Sequence, residues 1–119
     1  MGRRQTRGMK AVKAIRAAVP EGVELDEVDE DVLQAVRRAY DRAEDLDADL
    51  ARERAATGPS ANRLTLLAAE VRLQEAQGEK WGRQVIDRAE AVVKVETKDW
   101  RAQKAARARW DGRYSQGGR

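Results

Sequence analysis

The chain has 119 residues with no Cys and no His, which removes disulfides, thiol and imidazole chemistry, zinc fingers and the commonest metal ligands. At this length one domain is the most to expect. The net charge of +3 conceals a division: residues 1–19 carry +6 and residues 98–119 carry +5, which leaves −8 on residues 20–97. Leu, Ile, Val and Phe together make only 21 residues, close to the ~20% below which a highly charged chain fails to order. The low net charge and the periodic spacing of the apolar residues still predict helices. A core so thin stabilises a short monomer weakly, so association with further copies is expected. Nothing approaches a run of ~18 apolar residues and no charged-then-apolar leader opens the chain, so neither a membrane span nor a signal peptide is expected and a cytoplasmic location follows.

In chain order, residues 1–20 read as a basic arm, Met1 to Gly8, and a short amphipathic helix, Met9 to Ala18. Val12, Ile15 and Val19 give that helix its apolar spacing and Pro20 ends it. A connector, Glu21 to Leu25, leads to Asp26, an N-cap followed by Glu27, Asp29, Glu30 and Asp31, acids that favour a helix start. The long helix that begins there places Val32, Val36, Ala39, Ala43, Leu46 and Leu50 on one stripe by 4-3-4-3-4 spacing. Gly58-Pro59 stops it near Ala56, and Ser60 caps a return helix. Leu64, Leu67, Val71, Trp81 and Val85 continue the register there, with Gln74 and Gly78 as interruptions. The return helix reads cleanly to Gly78; Gly78 and Gly82 each cost about 1 kcal/mol against Ala in a helix, so a kink or an early end would fall there. Residues 91–95 read as a frayed end or an extended linker. A last basic helix starts near Thr97, passes Trp100, Ala105, Ala106 and Trp110, and gives way to a disordered tail from Gly112. The expectation is an all-α chain: a long antiparallel helical hairpin over residues 21–95, flanked by short basic helices in 1–20 and 96–119.

The acids Asp41, Glu44, Asp45, Asp47, Asp49 and Glu53 invite a metal reading, and Asp45-Leu46-Asp47-Ala48-Asp49 has the D-x-D-x-D opening of a calcium loop. The Gly and the closing carboxylate of such a loop are replaced by Leu50 and Ala56, and i, i+2 side chains diverge on a helix. A solvated face or a docking surface for a basic segment is the better reading, and no metal or cofactor is implied. The i, i+4 ladder Asp41, Asp45, Asp49, Glu53 repels itself and would be relieved by a cationic surface.

Arg3, Arg4, Arg7, Lys10, Lys13 and Arg16 form a cluster suited to phosphates without base reading, with affinity that falls steeply with salt. The bland alternative is a solubilising tail. The C-terminal segment offers Arg101, Lys104, Arg107 and Arg109 with Trp100 and Trp110. The two indoles, ten residues apart, suit anchoring against a protein surface better than base stacking. No catalytic motif survives: Gly78-Glu79-Lys80 lacks the rest of a phosphate loop, and Ser60 has no base to activate it.

Several stretches, in this order, resemble one family. A basic segment precedes Gly22-Val23-Glu24-Leu25-Asp26-Glu27, then come a helix of the type Leu33…Ala39-Tyr40-Asp41-Arg42-Ala43, Asn62, Ala69-Glu70-Val71-Arg72-Leu73-Gln74, and Arg101-Ala102-Gln103-Lys104-Ala105-Ala106-Arg107-Ala108-Arg109-Trp110-Asp111. Together they resemble the small terminase subunits of tailed phages that infect actinobacteria. Ala11-Val12-Lys13 departs from the pattern by lacking an aromatic. The resemblance implies a non-catalytic ring oligomer in the host cytoplasm that recognises double-stranded phage DNA and recruits the terminase large subunit for genome packaging. It implies DNA contact by the six N-terminal cations, docking of the large subunit or DNA by the Trp100–Trp110 helix, and core and subunit contacts through the two seams. A helical scaffold or interaction protein with incidental basic ends is the alternative. A small DNA-binding regulator is disfavoured by the long helix from Asp26, since helix-turn-helix domains use short helices.

Overall fold

The computed structural model describes residues 4–117, with side chains described for residues 4–110. Three helices account for nearly all of it: α1 (Arg7–Ala18), α2 (Glu27–Ala55) and α3 (Ala61–Gly117). No strand occurs among the described residues, and the molecule is elongated, 95 × 36 × 19 Å. None of its described helices is long and apolar enough to cross a membrane.

Each helix starts where a side chain can satisfy free N–H groups. Thr6 Oγ1 accepts from the Met9 N–H at the head of α1. Asp26 and Asp29 form a reciprocal capping box on α2, and the Asp29 N–H holds the Asp26 carboxyl below its ordinary pKa. Ser60 Oγ accepts from the Arg63 N–H at the start of α3. The reversal between α2 and α3 needs Gly58, whose φ of +67° lies where a Cβ is penalised. Glu53 ties the turn by accepting from the Ser60 N–H at 2.9 Å and pairing with Arg63.

α3 runs back along α2, since Glu53 meets Arg63 beside the turn and Asp29 meets Arg88 at the other end. The buried apolar residues are Leu33, Val36, Ala39, Ala43, Leu46 and Leu50 from α2 and Val71, Val85 and Ala89 from α3. One residue of the expected α2 stripe is misplaced: Val32 is only half-buried, whereas Leu33 is fully buried. The reason is α1. It binds the side of α2 that bears Asp41 and Glu44, and Leu33 lies two helical turns before Asp41 on that side. On α3, Val71 and Val85 are buried as expected, while Leu64, Leu67 and Trp81 are half-buried at the margin.

The helix does not end at Gly78 or Gly82. Both glycines are buried inside an unbroken helix. A Cβ on Gly78 would stand 2.6 Å from the Tyr40 ring, and one on Gly82 would stand 2.7 Å from Ile15 Cδ1. The glycines are therefore seats for side chains from α2 and α1. Gly78→Ala is expected to lower stability, because overpacking of about 1–3 kcal/mol exceeds the ~1 kcal/mol gain in helix propensity. Gly82→Ala meets only the free end of Ile15 and should be close to neutral. Urea unfolding followed by circular dichroism measures both, and a stabilised Gly78→Ala would mean that the Tyr40 ring is not seated there.

The separate C-terminal helix expected from Thr97 is also corrected. Residues 91–117 continue α3 without a linker, and the helix enters the segment expected to be a disordered tail as far as Gly117; residues 118 and 119 of that tail lie outside the described residues. At ~1.5 Å per residue, its 57 residues form a rod of about 86 Å. Burial stops at Ala89, and every residue from Lys94 to Trp110 is exposed.

Candidate nucleic-acid interface

The N-terminal cations do not form a free arm. Arg4 pairs with Glu44 at 3.2 Å, and Arg7 pairs with Asp47 at 2.8 Å and with Glu75 of α3 at 3.4 Å. Arg16 engages both oxygens of Glu30, at 2.8 and 2.6 Å. That contact raises the Arg16 pKa and lowers that of Glu30, in each case mainly through the hydrogen bond between them. Lys10 and Lys13 are exposed and make no ion pair among the described residues. Arg3 lies outside the described residues.

The main chain takes part too. The Arg7 N–H donates to Glu44 and the Gly8 N–H to Asp41, both at 2.9 Å. These are first-turn N–H groups of α1, where the helix dipole favours an anion. Gly8 is required by the approach: a Cβ there would lie 2.2 Å from the Arg37 carbonyl oxygen and 2.6 Å from Asp41 Oδ1. Of the acids on α2 that repel one another in sequence, Asp41, Asp49 and Glu53 are thus compensated within the chain, whereas Asp45 makes no ion pair among the described residues. Asp41 also pairs with Arg37, Asp49 with Arg52, and Glu53 with Arg63. Sequence reasoning read a docking surface here but missed its occupant. The signal was present in the i, i+3 spacing of Asp41, Glu44 and Asp47 opposite a glycine-containing basic helix.

At the three-helix junction, Ala11, Ala14 and Ile15 of α1 face Tyr40, Gly78 and Gly82 across an open cleft of about 210 Å³. Burial, then the charges of Glu79 and Glu75, raise the Tyr40 pKa, so its phenol stays protonated near neutrality. A second groove lies between α2 and α3, lined by Ala35, Arg38, Ala39, Arg42, Gln74 and Trp81. Arg38 and Arg42, exposed and one helical turn apart, make no ion pair among the described residues. The sequence reading had not singled them out.

The projecting end of α3 carries Lys94, Lys98, Arg101, Lys104, Arg107 and Arg109 against Glu96 and Asp99. Lys104 lies over the Trp100 ring, 5.0 Å from its centroid, a one-turn cation–π contact. Trp100 and Trp110 are 59% and 66% exposed, so neither packs against the rest of the chain. The structure does not bring this segment together with the N-terminal cluster. α1 lies against α2, whereas the basic end of α3 extends beyond the point where Arg88 meets the start of α2. No family model matches this chain, and neither does any curated protein or solved structure.

Proposed function

We propose that this protein is a non-catalytic adaptor that binds double-stranded nucleic acid through its basic segments and works as an assembly of several copies. In this reading it is a small terminase subunit that recognises phage DNA and recruits the large terminase subunit for packaging. The observation that carries the proposal is the end of α3, an exposed helix with six cations against two acids between residues 91 and 110 and two uncovered indoles. Cations spaced along a free helix neutralise phosphates without reading bases, and exposed Trp side chains suit burial against a protein. The packed pair of α2 and α3 serves as the hairpin from which a ring is built. Its thin core gives the copies a reason to associate.

A scaffold or interaction protein without nucleic-acid binding is favoured by one observation, the pairing of Arg4, Arg7 and Arg16 with carboxylates of their own chain. Titration of a duplex of about 30 base pairs across ~50–200 mM salt separates the two readings. Engagement of about six phosphates predicts a log–log slope near −5. Absence of binding at low salt would remove the nucleic-acid role. Light scattering with and without the duplex then reads the mass, and a 13.3 kDa monomer in both conditions would remove the assembly.

A further inference from the structure

We propose that the acidic side of α2 is an intramolecular competitor for nucleic acid: it holds α1 closed by occupying the groups that phosphates would take. The proposal rests on the nucleic-acid reading above and adds a regulated step to it. Asp41 and Glu44 accept the Gly8 and Arg7 N–H groups, Asp47 and Glu75 take the Arg7 guanidinium, and Glu44 and Glu30 take Arg4 and Arg16. A phosphate backbone presents the same charge and the same acceptor oxygens to such groups.

The closed position is built to be left. Gly8 is the only buried residue of α1, and the apolar side chains that hold the helix down, Met9, Ala11, Val12 and Ile15, are only half-buried. The ion pairs involve guanidinium side chains that are 35–81% exposed, and such pairs are individually weak and screened by salt. Beyond α1, Pro20 and Gly22, the latter with φ of +84°, lie in the connector to α2. Many phosphates on one duplex can displace five separate carboxylates, and Lys10 and Lys13, exposed on α1, supply the first contacts.

The test compares duplex affinity of the full-length protein at fixed salt between two charge-matched triple variants. Asp41→Asn/Glu44→Gln/Asp47→Asn opens the contact. Asp45→Asn/Asp87→Asn/Glu90→Gln removes the same charge from exposed acids that make no ion pair among the described residues. A contact closed nine-tenths of the time predicts about tenfold tighter binding by the first variant than by the second. Gly8→Ala, which changes no charge but cannot sit against the Arg37 carbonyl, should also bind more tightly than the parent. Its folding is checked by circular dichroism, and the charge variants carry the test if it does not fold. Equal affinity of the two triple variants would overturn the competition and leave nucleic-acid binding intact. If parent and variants all fail to bind, the nucleic-acid reading falls and the proposal falls with it.

Discussion

Leu33→Ala should lose about 2–5 kcal/mol of stability, the range for a fully buried Leu truncated in a core that cannot collapse around the gap. Leu33 has no exposed surface, and it stands on the side of α2 that α1 covers. Its loss therefore weakens two packings together. Against a total of about 5–15 kcal/mol for ordinary domains, and with so few large apolar residues to share the load, the variant should be at the edge of unfolding at 37 °C. Urea unfolding at 25 °C gives the difference directly. Val32→Ala is the necessary companion, because the 4-3-4-3-4 spacing places Val32 in the seam whereas the structure leaves it half-buried. It should cost less than about 1.5 kcal/mol, in keeping with a partly exposed site. Equal losses at the two positions would mean that the packed register is the one the spacing suggests.

Arg88→Met should cost about 1–3 kcal/mol, the penalty for stranding a buried polar group. Asp29 is the one buried charged residue among those described. Its Oδ2 accepts from the Asp26 N–H as part of the capping box. Its Oδ1 has no aligned hydrogen-bond donor, and what offsets its charge is the Arg88 guanidinium at 3.1 Å. The effect should be absent from Arg83→Met, which removes an exposed cation that makes no ion pair among the described residues. Adding Asp29→Asn to Arg88→Met should recover much of the loss, since Asn still accepts at the cap and carries no charge to strand. Thermal unfolding of the four proteins, parent included, decides the matter. A double variant as damaged as Arg88→Met alone would place the cost in lost packing of the Arg88 stem.

Two of the three capped helix starts were legible because they depend on residues adjacent in sequence: Asp26 and Ser60 act on N–H groups three residues on, whereas α1 starts at Arg7 under a Thr6 cap rather than at the expected Met9. The breaker at Gly58 was legible for the same reason. Val36, Ala43, Leu46, Val71 and Val85 could be read as core because helical periodicity alone puts them inside. Leu33 could not, since its burial depends on where α1 lies, and that depends on Gly8 meeting Arg37 across the fold. Gly78 and Gly82 were misread on the same ground. In isolation a helical glycine only costs propensity, and its value appears when Tyr40 or Ile15 arrives from another helix. The pairing of Arg4, Arg7 and Arg16 was hidden because charge counted by segment cannot tell a cation facing solvent from one facing a carboxylate 14 to 68 residues away.

The projecting end of α3 also governs how the molecule moves through water. A compact chain of this length has a radius of gyration of ~13.5 Å, whereas this one has 24.3 Å. Drag follows shape more than mass, so a single chain will migrate through a sizing matrix among globular proteins of several times its weight. It will also tumble anisotropically, slowest end over end, so that amides whose N–H lies along the α3 axis relax differently from those whose N–H lies across it. Elution volume alone would therefore count one stretched subunit as several, and the rotational signature gives an independent way to tell length from number.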